Sequence, residues 1–292
     1  MTPKAFEEFL DRMGHRLIRT SSVTWFNPSP RVFTPTPPEV EVDPDTIEWS
    51  DLFRAGASVA RCASSTSKGV PSYRLIVDDR SYDFASLSSK SRNQTRRGLE
   101  SCQVRNLELP WLAKHGLRLQ FDTLQRQGRQ PGRNLENYWQ RYCASAERAS
   151  GAAAWGAFAD DQLAAFLVGF QINTIFHIFV VRSSQQALRH YPNNALIFTV
   201  LRELMSRPDC TEVSMGYRSI QPDIESLDHF KEGLGFRRKL VNEYIRFSPG
   251  LTRILRRPVL RAAVRASALC KNSERMRKLS GMFNWYLRQE SK

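Results

Sequence analysis

AAWGAFADDQLAAFLVGFQINTIFHIFVVRSSQQALRHYPNNALIFTVLRELMSRPDCTEVSM, residues 153–215, decides the fold. Ala153–Ala159, Leu163–Ile172 and Ile175–Val181 are three strand-like runs, too short for helices and rich in β-branched and aromatic residues. Asp160-Asp161 and Asn173-Thr174 separate them, residues that tolerate the left-handed backbone of a tight hairpin turn, so the three strands run antiparallel. A turn-rich stretch, Arg182–Tyr191, leads into Pro192. Asn193–Met205 then carries Leu196, Val200, Leu201 and Leu204 at helical spacing, and Thr211–Met215 is a short strand. A strand can pair in parallel with an earlier one only through a crossover, and this helix supplies it.

Working outward, Cys102–Leu107 alternates like a strand, and Leu109–His115 and Asn134–Ser150 read as helices around a polar loop at 121–133 (FDTLQRQGRQPGR). Downstream, Ile224–Lys231 is a helix ending in GLGF, and Phe236–Phe247 is a last strand before Pro249. Residues 102–247 therefore run β–α–α–β–β–β–α–β–α–β. Ahead of them, residues 4–19 suggest an amphipathic helix with Phe6, Leu10, Met13 and Leu17 on one side. The proline-rich stretch to Asp45 reads as an extended, loop-like arm pinned down by Trp25, Phe26 and Phe33. Ser72–Val77 is a strand, and Leu87–Leu99 a short, very basic helix ending at Gly98. The expected organisation is an arm (1–50), an accessory strand and basic helix (51–101), a main domain (102–250) and a basic helical tail (251–292). No internal repeat stands out.

Four segments in this order resemble a family. SLDHFKEGLGF (Ser226–Phe236) resembles the Leu-x-x-Phe-Lys-x-x-x-Gly-Phe signature of FemAB-like and BioF2-like acyltransferase domains of the GNAT class. SSKSRNQTRRGLE (Ser88–Glu100) is similar to their basic opening helix. YPNNALIFTVLRELM (Tyr191–Met205) is similar to their central helix, and VSMGYRS (Val213–Ser219) to the strand and glycine turn that follow. The resemblance implies an α/β (α+β) fold: a GNAT-like mixed sheet flanked by helices, here with an N-terminal arm and basic C-terminal helices. It implies transfer of an acetyl, acyl or aminoacyl group to an amine. The donor is then a substrate, acyl-CoA or aminoacyl-tRNA, with no permanently bound cofactor. Two departures stand out. Fem ligases usually carry two such domains, and this chain has room for one complete copy. CoA-binding relatives place a glycine-rich loop after the fourth strand, where this chain reads RSSQQALRHYPNNA without a glycine.

The resemblance assigns Lys231, after Phe230, to stabilising negative charge near the transferred carbonyl; the bland alternative is a lysine answering a helix C-terminus. Tyr217 stands at a strand's C-terminal end, where a phenol serves to protonate a leaving group or simply packs, and Arg218 beside it suits an anionic substrate group or plain solvent. His177, inside IFHIFVV on the side of Ile175 and Phe179, is a candidate base or a core histidine. Tyr191, Asn193 and Asn194 stand where the amides of a helix N-terminus face a ligand; the simpler role for Asn193 is the N-cap. Arg92 and Arg96, four apart on one helix face, suit phosphates or solvent. No metal-ligand spacing and no Ser–His–Asp or Cys–His arrangement is readable.

The chain has 292 residues with 43 Lys and Arg against 29 Asp and Glu, a net charge of +14. From Thr252 to Lys292 eleven basic and two acidic residues give +9, so the excess sits mainly in the tail. There, Met276, Leu279, Phe283 and Tyr286 form an apolar stripe with basic flanks, which suits packing on the protein's own core, an anionic membrane surface or a nucleic acid such as tRNA. Five cysteines without CxxC spacing argue for a reducing compartment. With no signal peptide and no membrane span legible, the expectation is a cytoplasmic protein, peripheral to the membrane if the tail binds lipid. The rival to an enzyme is a silent scaffold of the same fold that binds a membrane, nucleic acid or protein through that tail.

Overall fold

Strand and helix alternate along the chain in the expected order, with additions at the N-terminal end. The computed structural model describes residues 1–220, 225–255, 258, 260 and 274–290. Its first part holds α1 (Pro3–Arg12), β1 (Leu17–Arg19), β2 (Thr24–Ser29), β3 (Val32–Thr36), β4 (Glu41–Val42), α2 (Trp49–Arg54), β5 (Val59–Ser64) and β6 (Val70–Val77). Then come α3 (Ser89–Ser101), β7 (Gln103–Asn106), α4 (Leu109–His115), α5 (Leu117–Arg126) and α6 (Leu135–Glu147). The remainder is β8 (Ala152–Ala159), β9 (Gln162–Ile172), β10 (Ile175–Ser183), α7 (Pro192–Ser206), β11 (Glu212–Tyr217), α8 (Glu225–Gly233), β12 (Arg237–Phe247), α9 (Pro249–Ile254) and α10 (Glu274–Gln289). Short 3₁₀ turns precede α3 and α7, at Phe84–Ser86 and Gln186–His190.

The chain forms two compact units. The first takes Met1–Phe9, Leu75–Gly216 and Glu225–Arg238. Its sheet runs β11–β10–β9–β8–β7, antiparallel except for the parallel pair β10–β11. Asp160 and Asp161 both take positive φ (49° and 57°), the geometry that turns β8 directly into β9. Because side chains alternate across a strand, the two faces of the sheet carry different partners. On one face Trp155 of β8 meets Phe176 of β10 and donates its indole N–H to Glu203 of α7 (3.0 Å). On the other, Phe166 and Phe170 of β9 pack on Trp139 and Tyr142 of α6 and on Phe6 and Phe9 of α1. Helix α7 is buried nearly all round, from Ala195 and Leu196 to Leu204 and Met205, as suits the central crossover.

The second unit takes 10–74, 217–220 and the described residues from 239 onward. Its sheet runs β1–β2–β3–β5–β12, with β4 also paired to β5. Here the sequence reading needs correcting. The proline-rich arm forms strands: Thr24–Ser29 pairs antiparallel with Val32–Thr36, and Val32–Phe33 pairs in parallel with Val59–Ala60. Proline is tolerated where strands are short or irregular, and β2–β3 carries a register shift between Phe26 and Ser29. Trp25, Phe33, Trp49 and Leu52 fill the core beneath. The expected helix over 4–19 stops at Arg12, after which Gly14 (φ 81°) breaks it and Leu17–Arg19 continues as a strand.

The tail helix α10 packs on this unit. Met282 and Trp285 are buried beside Val59, Val70 and Ile245, and Phe283 and Tyr286 touch Phe247. The Gln289 carboxamide bonds both backbone groups of Ile245, accepting its N–H (3.0 Å) and donating to its carbonyl (3.1 Å). The buried stripe is rotated from the expected one: Leu279 is exposed and Met282 and Trp285 face inward. The segment Val259–Cys270, which Pro258 sets off in the sequence, lies outside the described residues apart from Leu260. Among the described residues, no helix is long and apolar enough to cross a membrane.

Candidate active site between parting strands

Strand β10 is treated differently along its two edges. Toward β9 it pairs from Ile175 to Ser183; toward β11 it pairs only at Ile175–Glu212, Phe176–Val213 and His177–Ser214. Beyond His177 the two parallel strands part, although β10 runs on for six residues. A parted edge leaves backbone N–H groups available to an acyl carbonyl and its oxyanion. A β-bulge falls at the same place: the β9 register shifts between Ile178 and Val180, leaving Phe179 as the extra residue, 44% exposed.

The far end of β10 is held by side chains. The Thr123 hydroxyl donates to the Ser183 carbonyl (3.2 Å) and accepts the Ser183 N–H (3.1 Å). Arg126 donates to the Ser183 hydroxyl (2.9 Å), which also accepts from Asn193 Nδ2 (3.1 Å). These donors come from α5 and the start of α7. The sequence reading placed much of α5 in a polar loop; Leu119 and Thr123, buried four residues apart, are the helical signal that the surrounding glutamines and arginines masked.

Between β10 and α7 stands Tyr191, in the left-handed conformation (φ 50°, ψ 44°) usually given to glycine. Pro192 follows at the first helical position, where its missing N–H costs nothing. The Tyr191 carbonyl accepts from Asn194 (3.1 Å) and Ala195 (3.2 Å). It also lies 2.7 Å from where a Cβ on Gly98 would stand, so α3 meets α7 at a glycine. The expected end of the basic helix at Gly98 is thus displaced: α3 continues to Ser101, and Gly98 is a contact point. Arg97 reaches over the Tyr191 ring (5.0 Å) and donates to its hydroxyl (3.3 Å).

A cavity of about 570 Å³ opens here among α3, α7 and α8. Ser88, Lys90 and Ser91 line it from α3, Tyr191, Asn193 and Asn194 from the α7 N-terminus, and His229 and Phe230 from α8. Asn194 is buried, and its Nδ2 has no hydrogen-bond partner among the described residues; the buried Oδ1 of Asn193 is in the same state. A buried amide without a partner is costly and marks a place where a ligand supplies the missing group. The α8 end closes tightly on α3: Gly233 gives its carbonyl to Ser88 (3.0 Å), and a Cβ there would stand 2.5 Å from Ser91 Oγ. This accounts for the glycine that ends the LDHFKEG run.

The expected site residues distribute as follows. Tyr191, Asn193 and Asn194 come together at the cavity. Lys231 is half-buried on α8, 3.5 Å from the buried Asp228; burial lowers its pKa and Asp228 opposes that. His177 is buried at the last paired position of β10, near Phe179 (6.1 Å). Arg92 gives its guanidinium to the carbonyls of Phe84 (2.9 Å), Leu87 (3.1 Å) and Ala85 (3.5 Å), fastening the turn before α3. Arg96 is exposed, over the Phe84 ring at 5.6 Å. Tyr217 and Arg218 belong to the second unit. The Tyr217 ring lies 6.0 Å from the Arg74 guanidinium, its buried hydroxyl has no partner among the described residues, and burial raises its pKa. Arg218 lies over Tyr73 (5.7 Å). Lys90, Ser88, Ser91 and His229 were not singled out by sequence; the N-cap role of Ser88, which accepts from Ser91 N–H, was the available signal.

Solved structures share this architecture. FemX matches at a TM-score of 0.60 with 10% identity, over 86% of this chain and 93% of that one. The C-terminal domain of a putative lysylphosphatidylglycerol synthetase from Agrobacterium fabrum matches at 0.58 with 12% identity (86% and 90%). L-PGS from Bacillus licheniformis matches at 0.55 with 14% identity (87% and 95%). At such identities the likeness is one of fold. No curated protein sequence matches. The family model of the acetyltransferase (GNAT) domain matches residues 86–231, half of the chain and the segment that holds the parted strands and the cavity. The chain therefore belongs to the GNAT acetyltransferase domain family and is an acyltransferase.

Proposed function

We propose that the chain transfers an acyl or aminoacyl group to an amine, with the donor's activated carbonyl in the slot between β10 and β11 and its anionic end in the cavity at the start of α7. The observation that carries this is the end of β10–β11 pairing after three residue pairs, while β10–β9 continues. The acceptor amine, once deprotonated, attacks the carbonyl carbon. A C–N bond forms, and the C–S bond of a thioester or the C–O bond of an aminoacyl ester breaks. Backbone N–H groups at the parted edge hold the oxyanion, and Lys231 supplies positive charge to it. His177 is the candidate for receiving the amine proton. In the cavity, Asn194 Nδ2 donates to a phosphate oxygen of the donor, Asn193 Oδ1 accepts from one of its hydroxyl or amide groups, and Lys90 adds charge, a mode that needs no glycine-rich loop.

Calorimetric titration of the full chain with acetyl-CoA, and in parallel with a charged aminoacyl-tRNA, tests this. One of the two donors binds, and Asn194→Ala weakens it about 10-fold, the worth of a hydrogen bond to a charged group. Stability of that variant changes little, because the lost amide has no partner among the described residues. Neither donor binding at millimolar concentration would return the chain to the silent-scaffold reading.

A further inference from the structure

The second unit holds a cavity of its own, about 510 Å³ in volume. Its polar lining is Arg16 from the corner before β1, Asn27 and Arg31 from the β2–β3 hairpin, Ser58 from the loop into β5, and Ser248 just after β12. No aspartate or glutamate stands among the residues that line it. Phe33 and Ala57, both buried, and the half-buried Phe53 give it an apolar floor. Every one of these residues lies outside the segment 86–231 that matches the acetyltransferase family.

Along this wall the acceptors are used and the donors are left over. The Arg31 carbonyl takes the N–H groups of Ser58 (2.8 Å) and Val59 (3.1 Å), the Ser58 carbonyl that of Ser248 (2.9 Å), and the Phe53 carbonyl that of Gly56 (3.0 Å). The Asn27 carbonyl accepts from the His15 ring (2.8 Å) and its Oδ1 from the Arg16 N–H (2.5 Å). Asn27 Nδ2, the Ser58 and Ser248 hydroxyls and both guanidinium groups have no hydrogen-bond or ion-pair partner among the described residues. The backbone is shaped around the two arginines. Arg16 Nη1 lies 2.9 Å from where a Cβ on Gly56 would stand, so its guanidinium rests against a residue without a side chain. Arg31 follows Pro30 in the turn between the paired Ser29 and Val32 and takes φ 61°, a conformation that glycine adopts freely and arginine does not. An arginine kept there at that conformational cost fits a side chain that is used.

We propose that this cavity binds a phosphate monoester, with Arg16 and Arg31 gripping the phosphoryl oxygens, Asn27 Nδ2 and the Ser58 hydroxyl adding neutral donors, and Phe53 lying against the organic part. Two planar guanidinium forks and three neutral donors without an acid call for an anion rich in acceptor oxygens. A carboxylate offers two; a phosphate monoester offers three terminal oxygens and a charge of about −1.5 to −2 at pH 7. The volume exceeds what a bare phosphate needs and falls in the range of small-molecule pockets, about 300–1,000 Å³, which leaves room over the apolar floor for a carbon skeleton. The site does not depend on the transfer reading above.

Calorimetric titration of the full chain with glycerol 3-phosphate, with glycerol and acetate as controls, tests the site without any acyl donor. Glycerol 3-phosphate binds and the controls do not. Arg16→Gln and Arg31→Gln each weaken binding about 10-fold or more, the worth of hydrogen bonds to a charged group. Asn194→Ala, at the donor cavity of the first unit, leaves it unchanged. Arg31→Gly carries the sharpest reading: it frees the turn of its strain, so stability in urea stays close to that of the parent while phosphate affinity falls as far as in Arg31→Gln. Flotation with phosphatidylcholine vesicles, with and without phosphatidic acid, separates the sources of the monoester. Capture by phosphatidic acid that is lost in the Arg16→Gln, Arg31→Gln double variant makes it a lipid headgroup; glycerol 3-phosphate binding with capture indifferent to the two arginines makes it a soluble metabolite. Equal affinity in the parent and both arginine variants, loss in Asn194→Ala instead, or binding of neither glycerol 3-phosphate nor phosphatidic acid overturns the site, and each leaves the transferase reading standing.

Discussion

Two places in the molecule bury charged or polar groups along a sheet, and they resolve the cost in opposite ways. In the second unit, Glu243 sits in the middle of β12, 2% exposed, paired with Arg61 of β5 and accepting from the Ser72 hydroxyl (2.6 Å). Arg61 also lies over the Trp285 ring (5.5 Å) and donates to the Arg218 carbonyl (3.3 Å). β12 and β5 stay paired over six residues, Asn242–Phe247 against Val59–Ser64. In the first unit the strands part, and Asn194, Asn193 and Tyr142 keep buried polar atoms without partners among the described residues. A buried charge fully answered by protein holds a fold together; the buried amide groups left unanswered at the cavity mark where a ligand supplies the partner.

The largest effect should come from breaking the answered site. Glu243→Ala strands Arg61 and Ser72, and urea unfolding should show a loss of about 3–5 kcal/mol, the usual cost of removing one partner of a buried ion pair. A loss under about 1 kcal/mol would mean that the pair is only incidental. On the open side, Lys231→Met should leave urea stability within about 1 kcal/mol while lowering the transfer rate about 100-fold, the worth of one donor to an oxyanion. If the rate holds and stability falls, Lys231 is a structural partner of Asp228.

The smallest effect is a pH dependence at the answered site. Burial pushes the Cys62 thiol up to about 12, Glu243 adds to the rise and Arg61 opposes it. From pH 9 upward the unfolded chain loses that proton while the folded chain keeps it, so stability falls as pH rises toward 12, by at most about 1.4 kcal/mol per pH unit. Cys62→Ala should flatten that slope in urea titrations between pH 8 and 10.5; an unchanged slope would place the titrating group elsewhere.

The first unit was legible because its strands are long, apolar and punctuated by Asp160-Asp161 and Asn173, and because α7 repeats its leucines at helical spacing. The second unit was hidden by its own chemistry. Prolines at 28 and 35 stand in β2 and β3, and VARCAS in β5 has too little bulk to announce a strand. The candidate site was half visible. Tyr191, Asn193 and Asn194 are consecutive or nearly so, and the start of a helix is readable. Gln120 and Arg182 meet across 62 positions, and no spacing rule links them. Arg92 misled for the opposite reason: its local pattern is that of a surface cation, yet its donors go to the turn just before its own helix.

The discontinuous second unit sets a timetable during synthesis. Its first strands leave the ribosome early, but β12 and the helix bearing Trp285 follow about 200 residues later. For that interval Val59 and Val70 lack their partners and offer apolar surface to chaperones or to other nascent chains. The strands of the first unit, between Gln103 and Tyr217, have all emerged by then, so the transferase fold gets a head start over the part that carries the basic tail.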